Sequence, residues 1–93
     1  MGIYRREKGE LHGVTVVVDT KGPKVFIGRC WDEDAEKIVL VDADEFEDGQ
    51  QGRSKEQYIR ETAKLGVWKK HDRIVVPRVV VASVTRLGEI APA

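Results

Sequence analysis

At 93 residues with one cysteine, the chain is long enough for a single small domain with its own core and cannot form an internal disulfide. Lys+Arg and Asp+Glu both number 16, and a formal charge of zero argues against tight nonspecific binding to nucleic acid, whose affinity comes from phosphate neutralisation. The balance hides a segregation, with nine acids and one base (Lys37) over residues 32–48, and nine bases against three acids over 53–86. Such segregation can set a local basic rim, make complementary contacts between copies, or simply solvate a surface of both signs. No apolar run exceeds five residues and no signal peptide is visible. A soluble cytoplasmic protein in a reducing setting is therefore expected, with Cys30 as a small core residue.

Residues 1–10 form a polar lead, either frayed or a short helix. The first strand is expected over 11–19, followed by a hairpin turn over 20–24 with Gly22 and Pro23. Strand two covers 25–31. Gly28 in its middle has no side chain to pack, so it marks a sharp bend of the kind a small barrel needs. Residues 32–36 turn the chain, and strand three returns over 37–43. Residues 45–52, acidic and glycine-bearing, read as loop. Ser54, three residues before Gln57, has the form of a capping box and opens a helix over 54–65, with Gly66 placed to end it in a left-handed conformation. Val67 and Trp68 are expected to fold back onto the barrel, and 69–72 is a polar turn. Strand four covers 73–76, Pro77 marks a strand boundary, and strand five covers 79–87. The chain is thus read as one domain: lead 1–10, three-strand meander 11–47, loop and helix insertion 48–72, last two strands 73–88 and tail 89–93.

Two segments, 14–18 and 79–82, lack the apolar–polar alternation of a half-exposed antiparallel strand. Something must cover both faces, either the chain's own helix or a neighbouring copy. With at least one sheet edge exposed, self-association through edges or the outer barrel face is expected.

The order of elements resembles the Sm and Sm-like family. Val14, Val16 and Val18 in strand one, Gly28 in strand two, the Trp31-Asp32 pair and the Ile38–Leu40 run followed by acids are similar to its first signature. The segment from Val75 to Arg78, with Val81 and Val84 after it, is similar to its second. The resemblance spans about two-thirds of the chain. It implies a mainly β fold, a small, five-stranded, strongly bent antiparallel barrel, and the cap signals add one α-helix inserted between strands three and four. The family's own helix is N-terminal, unlike this insertion. RNA recognition in the family uses a turn aromatic, an asparagine and an arginine. Lys37 stands at the asparagine's approximate place, Arg78 carries over by type, and the family's Arg-Gly pair is here Arg78-Val79.

A calcium loop begun at Asp44 puts Asp48 fifth and Gly49 sixth, but also Phe46 third and Lys55 twelfth, and the match fails. His12 and His71 have no cysteine at zinc spacing. Ser54 is a cap, Ser83 a strand residue, and Cys30 has no general base beside it in sequence, so neither catalysis nor a cofactor is expected. Lys69, Lys70, His71 and Arg73 beside Trp68 have the residue types of a single-strand RNA contact. The alternative is that Trp68 anchors the helix end to the core while the lysines solvate a turn. Two functions stay open. One is a non-catalytic Sm-like homo-oligomer that binds single-stranded RNA through Lys37, Arg78, Lys69, Lys70 and Arg73. The other is a protein–protein interaction module of the same shape.

Overall fold

The computed structural model describes residues 11–92, so the expected lead over 1–10 falls outside them. Five antiparallel strands form one sheet: β1 (Thr15–Thr20), β2 (Lys24–Glu33), β3 (Lys37–Glu47), β4 (His71–Pro77) and β5 (Val81–Arg86). One helix, α1 (Lys55–Leu65), lies between β3 and β4. The strand order is β4-β3-β2-β1-β5, so β4 and β5 are opposite edges. Yet only a single 3-10 turn, Arg78–Val80, links them. In a flat sheet the two edges would stand roughly 19 Å apart, whereas three residues of 3-10 helix span about 6 Å. The sheet must therefore curl round until its edges approach. It does not close, because β4 and β5 share no ladder; the expected barrel is an open one.

Irregularities in the ladders produce the curl. Ile27 pairs with Asp44 and Arg29 with Val41, so Gly28 faces one residue too many on β3. The surplus is taken up at Asp42, whose φ is 49°. A Cβ at Gly28 would lie 2.5 Å from Ala43 Cβ and 3.0 Å from its Cα, so only glycine lets the two backbones approach this closely. A second shift, between Cys30 and Asp32, makes Trp31 the extra residue on β2. Bulges of this kind bend the strand and strengthen its twist.

The bulge at Asp42 also flips the side-chain phase of β3. Ile38 and Leu40 point into the inner core together with Ala43, while Phe46 faces the outer one. The acidic residues 45–47, expected to be loop, are therefore the end of β3, with Phe46 only 2 % exposed. Other boundaries move as well. Residues 11–13 form a turn rather than strand, tied down by the Gly13 N–H donating to Cys30 O at 2.7 Å. Val79 and Val80 belong to the 3-10 turn, and Pro77 is the last residue of β4, an edge strand with no further ladder to feed.

Helix α1 starts as the sequence predicts. Ser54 Oγ accepts from Gln57 N–H at 3.1 Å, and Gln57 Oε1 accepts from Ser54 N–H at 3.0 Å. Gly66 ends it with φ 97° but ψ 168°, so the cap is a positive-φ extended residue and not the left-handed conformation expected. Its N–H still reaches Thr62 O at 2.8 Å. Lys55, in the helix's first turn, fastens α1 to the β1–β2 hairpin. Its ammonium lies 2.6 Å from Asp19 Oδ1 and 2.7 Å from Gly22 O.

The unalternated valines of β1 are accounted for within the chain. Val16 and Val18 enter the inner core, and Val17 enters an outer core under Tyr58, Leu87 and Ile90. In the second unalternated segment, Val79 is 75 % exposed and Val80 is also exposed. No helix among the described residues is long and apolar enough to cross a membrane.

Candidate nucleic-acid interface

The five basic residues singled out from the sequence fall into two groups at opposite ends of β4. Lys37 pairs with Pro77 at one end, while Arg73 pairs with Val41 nearer the other, where Lys69 and Lys70 precede His71. Pro77 lies four residue steps along the strand from Arg73, roughly 13 Å at the usual rise.

At the first end, Asp34 organises the β2–β3 turn. Its Oδ1 accepts from the N–H groups of Glu36 and Lys37 at 2.8 and 2.9 Å, and its Oδ2 meets Lys37 Nζ at 3.0 Å. The Lys37 ammonium, followed by the two backbone N–H groups, holds the Asp34 carboxyl down at about 2, and Asp34 in return raises the Lys37 ammonium above its ordinary value. Arg78 closes on this turn from 44 residues away: its Nε donates to Asp34 O at 3.0 Å and its Nη2 to Glu33 Oε1 at 2.7 Å. Its own N–H donates to Glu36 O at 2.8 Å. The structure thus brings Lys37 and Arg78 to one turn, each beside a carboxylate. The two bonds engage two of the guanidinium's five N–H donors, and the side chain is 35 % exposed.

Nearby, Trp31 presents an exposed ring at the bulge on β2. The His12 ring leans on it at 5.0 Å, and His12 Nδ1 lies 2.6 Å from Trp31 O. Cys30, beside it in sequence, points inward. Burial, with Glu33 and Asp32 adding to it, pushes its thiol up, so the sulfur stays protonated at neutral pH.

At the second end the backbone leaves α1 and runs exposed to β4. Val67 packs on the outer core as expected, but Trp68 does not; it is 71 % exposed. The reason is local. Gly66 turns the chain with an extended ψ, and the Lys70 N–H bonds back to Trp68 O at 2.8 Å, which holds the indole outside. Lys69, Lys70 and Arg73 are exposed alongside it. Lys70 Nζ stands 3.9 Å from Asp44 Oδ1.

Sequence reasoning passed over two elements of this surface. Glu33 and Asp34 enter the sequence reading only as part of the turn over 32–36, although four carboxylates in the five residues before Lys37 are a sign that bases there are paired. The other is a cleft of about 420 Å³ between α1, the end of β3 and residues 66–70, lined by Asp44, Arg53, Tyr58, Glu61 and Trp68 among others. It exists because β3 runs on to Glu47, which the sequence did not reveal. Among the described residues, no group of three or more His, Cys, Asp or Glu side chains is placed to hold a metal ion.

No family model and no curated protein matches the chain. Solved structures do. A Pyrococcus abyssii Sm protein in complex with a uridine heptamer superimposes with a TM-score of 0.57 at 23 % identity, covering 82 % of this chain and 86 % of that one. A chain of the NatC complex bound to CoA gives a TM-score of 0.55 at 19 % identity, covering 91 % and 87 %. The fold is therefore Sm-like, as the order of the sequence elements implied, in a divergent form.

Proposed function

We propose that this chain is a non-catalytic, single-domain Sm-like protein that binds single-stranded RNA as a homo-oligomer. The observation that carries the proposal is the meeting of Lys37 and Arg78 at one turn. Arg78 carries over by type from the Sm-like resemblance, Lys37 stands at the approximate place of the family's asparagine, and the two are far apart in sequence. Donors left on the Arg78 guanidinium suit a phosphate or a base carbonyl. The exposed Trp68 with Lys69, Lys70 and Arg73 offers a second contact, where a base stacks on the indole and cations meet phosphates. The Sm protein of the same fold, solved with a uridine heptamer, supports the same function. Assembly is supported by two sheet edges, β4 and β5, that pair with no further strand among the described residues and are flanked by exposed Val75, Val79 and Val80. A buried unpaired thiol at Cys30 fits a reducing cytoplasm.

One observation favours the second function, an interaction module without RNA. Lys37, Lys70 and Arg78 each face a carboxylate, from Asp34, Asp44 and Glu33. That compensation weakens the pull on phosphates. The deciding measurement is binding of short uridine- and adenosine-rich RNAs at two salt concentrations, for the parent and for Arg78→Ala, with light scattering on the same samples. An RNA-binding protein loses affinity steeply as salt rises. Arg78→Ala then weakens binding by about tenfold, the scale of one hydrogen bond to a charged group. No binding at low salt removes the RNA function; salt-sensitive binding unchanged in the variant moves the site away from Arg78. A strict monomer at high micromolar concentration removes the oligomer.

A further inference from the structure

The cleft beside α1 has a buried carboxylate in its wall with one oxygen unused. Asp44 is 3 % exposed, and its Oδ2 accepts from the Tyr58 hydroxyl at 2.8 Å. Burial, followed by the bond to Asp44, raises the Tyr58 phenol far above its ordinary value, so this donor stays in place at any physiological pH. Asp44 Oδ1 is fully buried and has no hydrogen-bond partner among the described residues. Lys70 Nζ stands 3.9 Å from it, beyond hydrogen-bond distance, on a side chain that is 56 % exposed. A buried acceptor is normally satisfied, and an ionised carboxylate can be satisfied only by a donor.

The remaining lining narrows what that donor is. Glu45 and Glu61 join Asp44 around the cleft, which disfavours an anion. Arg53 is committed elsewhere: it pairs with Glu61 and Gln51 and lies 5.2 Å from the centroid of the Phe46 ring. Lys70 is loosely held. The rim is apolar and aromatic, with Leu65 77 % and Trp68 71 % exposed. An acidic floor under an aromatic rim fits a cation on an apolar stem, because the head can donate to the carboxylate while the stem and the charge lie against the indole. The volume of about 420 Å³ lies in the range of small-ligand clefts.

We propose that this cleft binds a guanidinium or primary ammonium head on an apolar stem, with Asp44 Oδ1 accepting from the head and Trp68 and Leu65 covering the stem. Such a head comes either from a free alkyl cation or from an arginine or lysine side chain of a peptide. Lys70 is the competitor already at the mouth, and a bound head takes the place its ammonium would otherwise fill. The site involves neither Lys37 nor Arg78, so it is independent of the first RNA contact, but it shares Trp68 and Lys70 with the second, and RNA seated there would compete with the cation.

The test uses the full chain with Trp31→Phe, so that Trp68 alone reports by fluorescence, titrated with agmatine and, separately, with a capped Gly-Arg-Gly peptide. The same peptide with citrulline in place of arginine is the uncharged control. A saturable response to the arginine probes and none to citrulline is expected. Asp44→Asn, which keeps an oxygen for Tyr58, weakens binding by about tenfold or more, and Lys70→Ala strengthens it several-fold. A merely structural Lys70 predicts the opposite, a less stable protein with no gain in binding. Equal affinity for agmatine and peptide assigns recognition to the head alone, and tighter peptide binding assigns it to a protein partner. Should Asp44→Asn fail to fold, calorimetry on Trp68→Ala, a change at an exposed position, serves in its place. The proposal is overturned if neither parent nor Lys70→Ala responds at millimolar probe, or if binding is undiminished in Asp44→Asn and Trp68→Ala.

Discussion

The molecule has two cores, one on each face of the same sheet, and they are built by different means. The inner core (Val16, Val18, Cys30, Ile38, Leu40, Ala43 and Val76) comes from strands alone and is enclosed because the sheet curls. The outer core (Val17, Val25, Ile27, Phe46 and Tyr58) faces away from the curl and is covered by α1 and the segment after β5. Three successive valines, Val16 to Val18, are divided between them. The inner core therefore depends on backbone geometry, at Gly28 and the bulges, while the outer one depends on a docked helix. Disturbing each separately should separate their stabilities.

The largest effect is expected in the outer core. Phe46 stacks on Tyr58 with ring centroids 4.4 Å apart and planes within 4°, and it is the main sheet residue under the helix. Phe46→Ala should cost about 3–5 kcal/mol, the usual scale for emptying a buried aromatic position. Hydrogen exchange checks the contrast. Amides of α1 should lose protection first, while those of β1 and β2 keep theirs. Simultaneous loss across α1 and β1 would mean that the two cores unfold as one unit.

A smaller loss is expected from the inner core's own pivot. In Gly28→Ala the new methyl meets Ala43 Cβ at 2.5 Å and Val41 O at 3.2 Å. Two of the three nearest atoms, Ala43 Cα and Val41 O, are backbone of β3, which limits relaxation, so a cost of about 1–3 kcal/mol follows. Denaturant unfolding of Gly28→Ala, and of the same change combined with Ala43→Gly, measures it. The double variant should recover part of the loss, since it removes the nearest contact and leaves the carbonyl. Parent-like stability of the single variant would show that the sheet is not pinned here.

The two cores also differ in how far they could be read from the sequence. Gly28 inside an apolar strand announced a bend, and the order of strands, the helix and its Ser54–Gln57 box were legible because each is a local signal. The bulge at Asp42 was not. A one-residue surplus flips the phase of β3, so alternation appears to stop at Ala43, and the acidic residues around Phe46 look like loop although they form a strand. The outer core lost its central aromatic in that reading. For the same reason the cleft at Asp44 stayed hidden, and so did the exposure of Trp68, which depends on the backbone at Gly66. Of the candidate site, Lys37 and Arg78 were chosen by resemblance, and the structure brings them to one turn. The four acids over 32–36 signal that bases near Lys37 are paired, but which base meets which acid, and that Arg78 joins them from β4's end, is a matter of three-dimensional pairing.

The smallest predicted effect lies at the inner core's rim, where the Asp34 turn leads into Ile38. Asp34 is held at about 2, first by the Lys37 ammonium and then by the N–H groups of Glu36 and Lys37. A folded-state value below the ordinary one, about 3.9, means that the carboxylate's contribution is complete above that ordinary value. It is lost as the pH falls through about 2. The group is exposed, so the effect on global stability should be slight. The local effect should still be visible, because Arg78 Nε bonds to the Asp34 carbonyl and the turn carries the arginine with it. Following the Asp34 carboxyl resonance against pH should give a midpoint near 2 in the parent. In Lys37→Met the midpoint should rise toward the ordinary value without reaching it, since the two backbone donors remain. A parent midpoint already at the ordinary value would mean that the turn is not held in this form in solution. Lys37 and Arg78 would then have no common frame from which to act together.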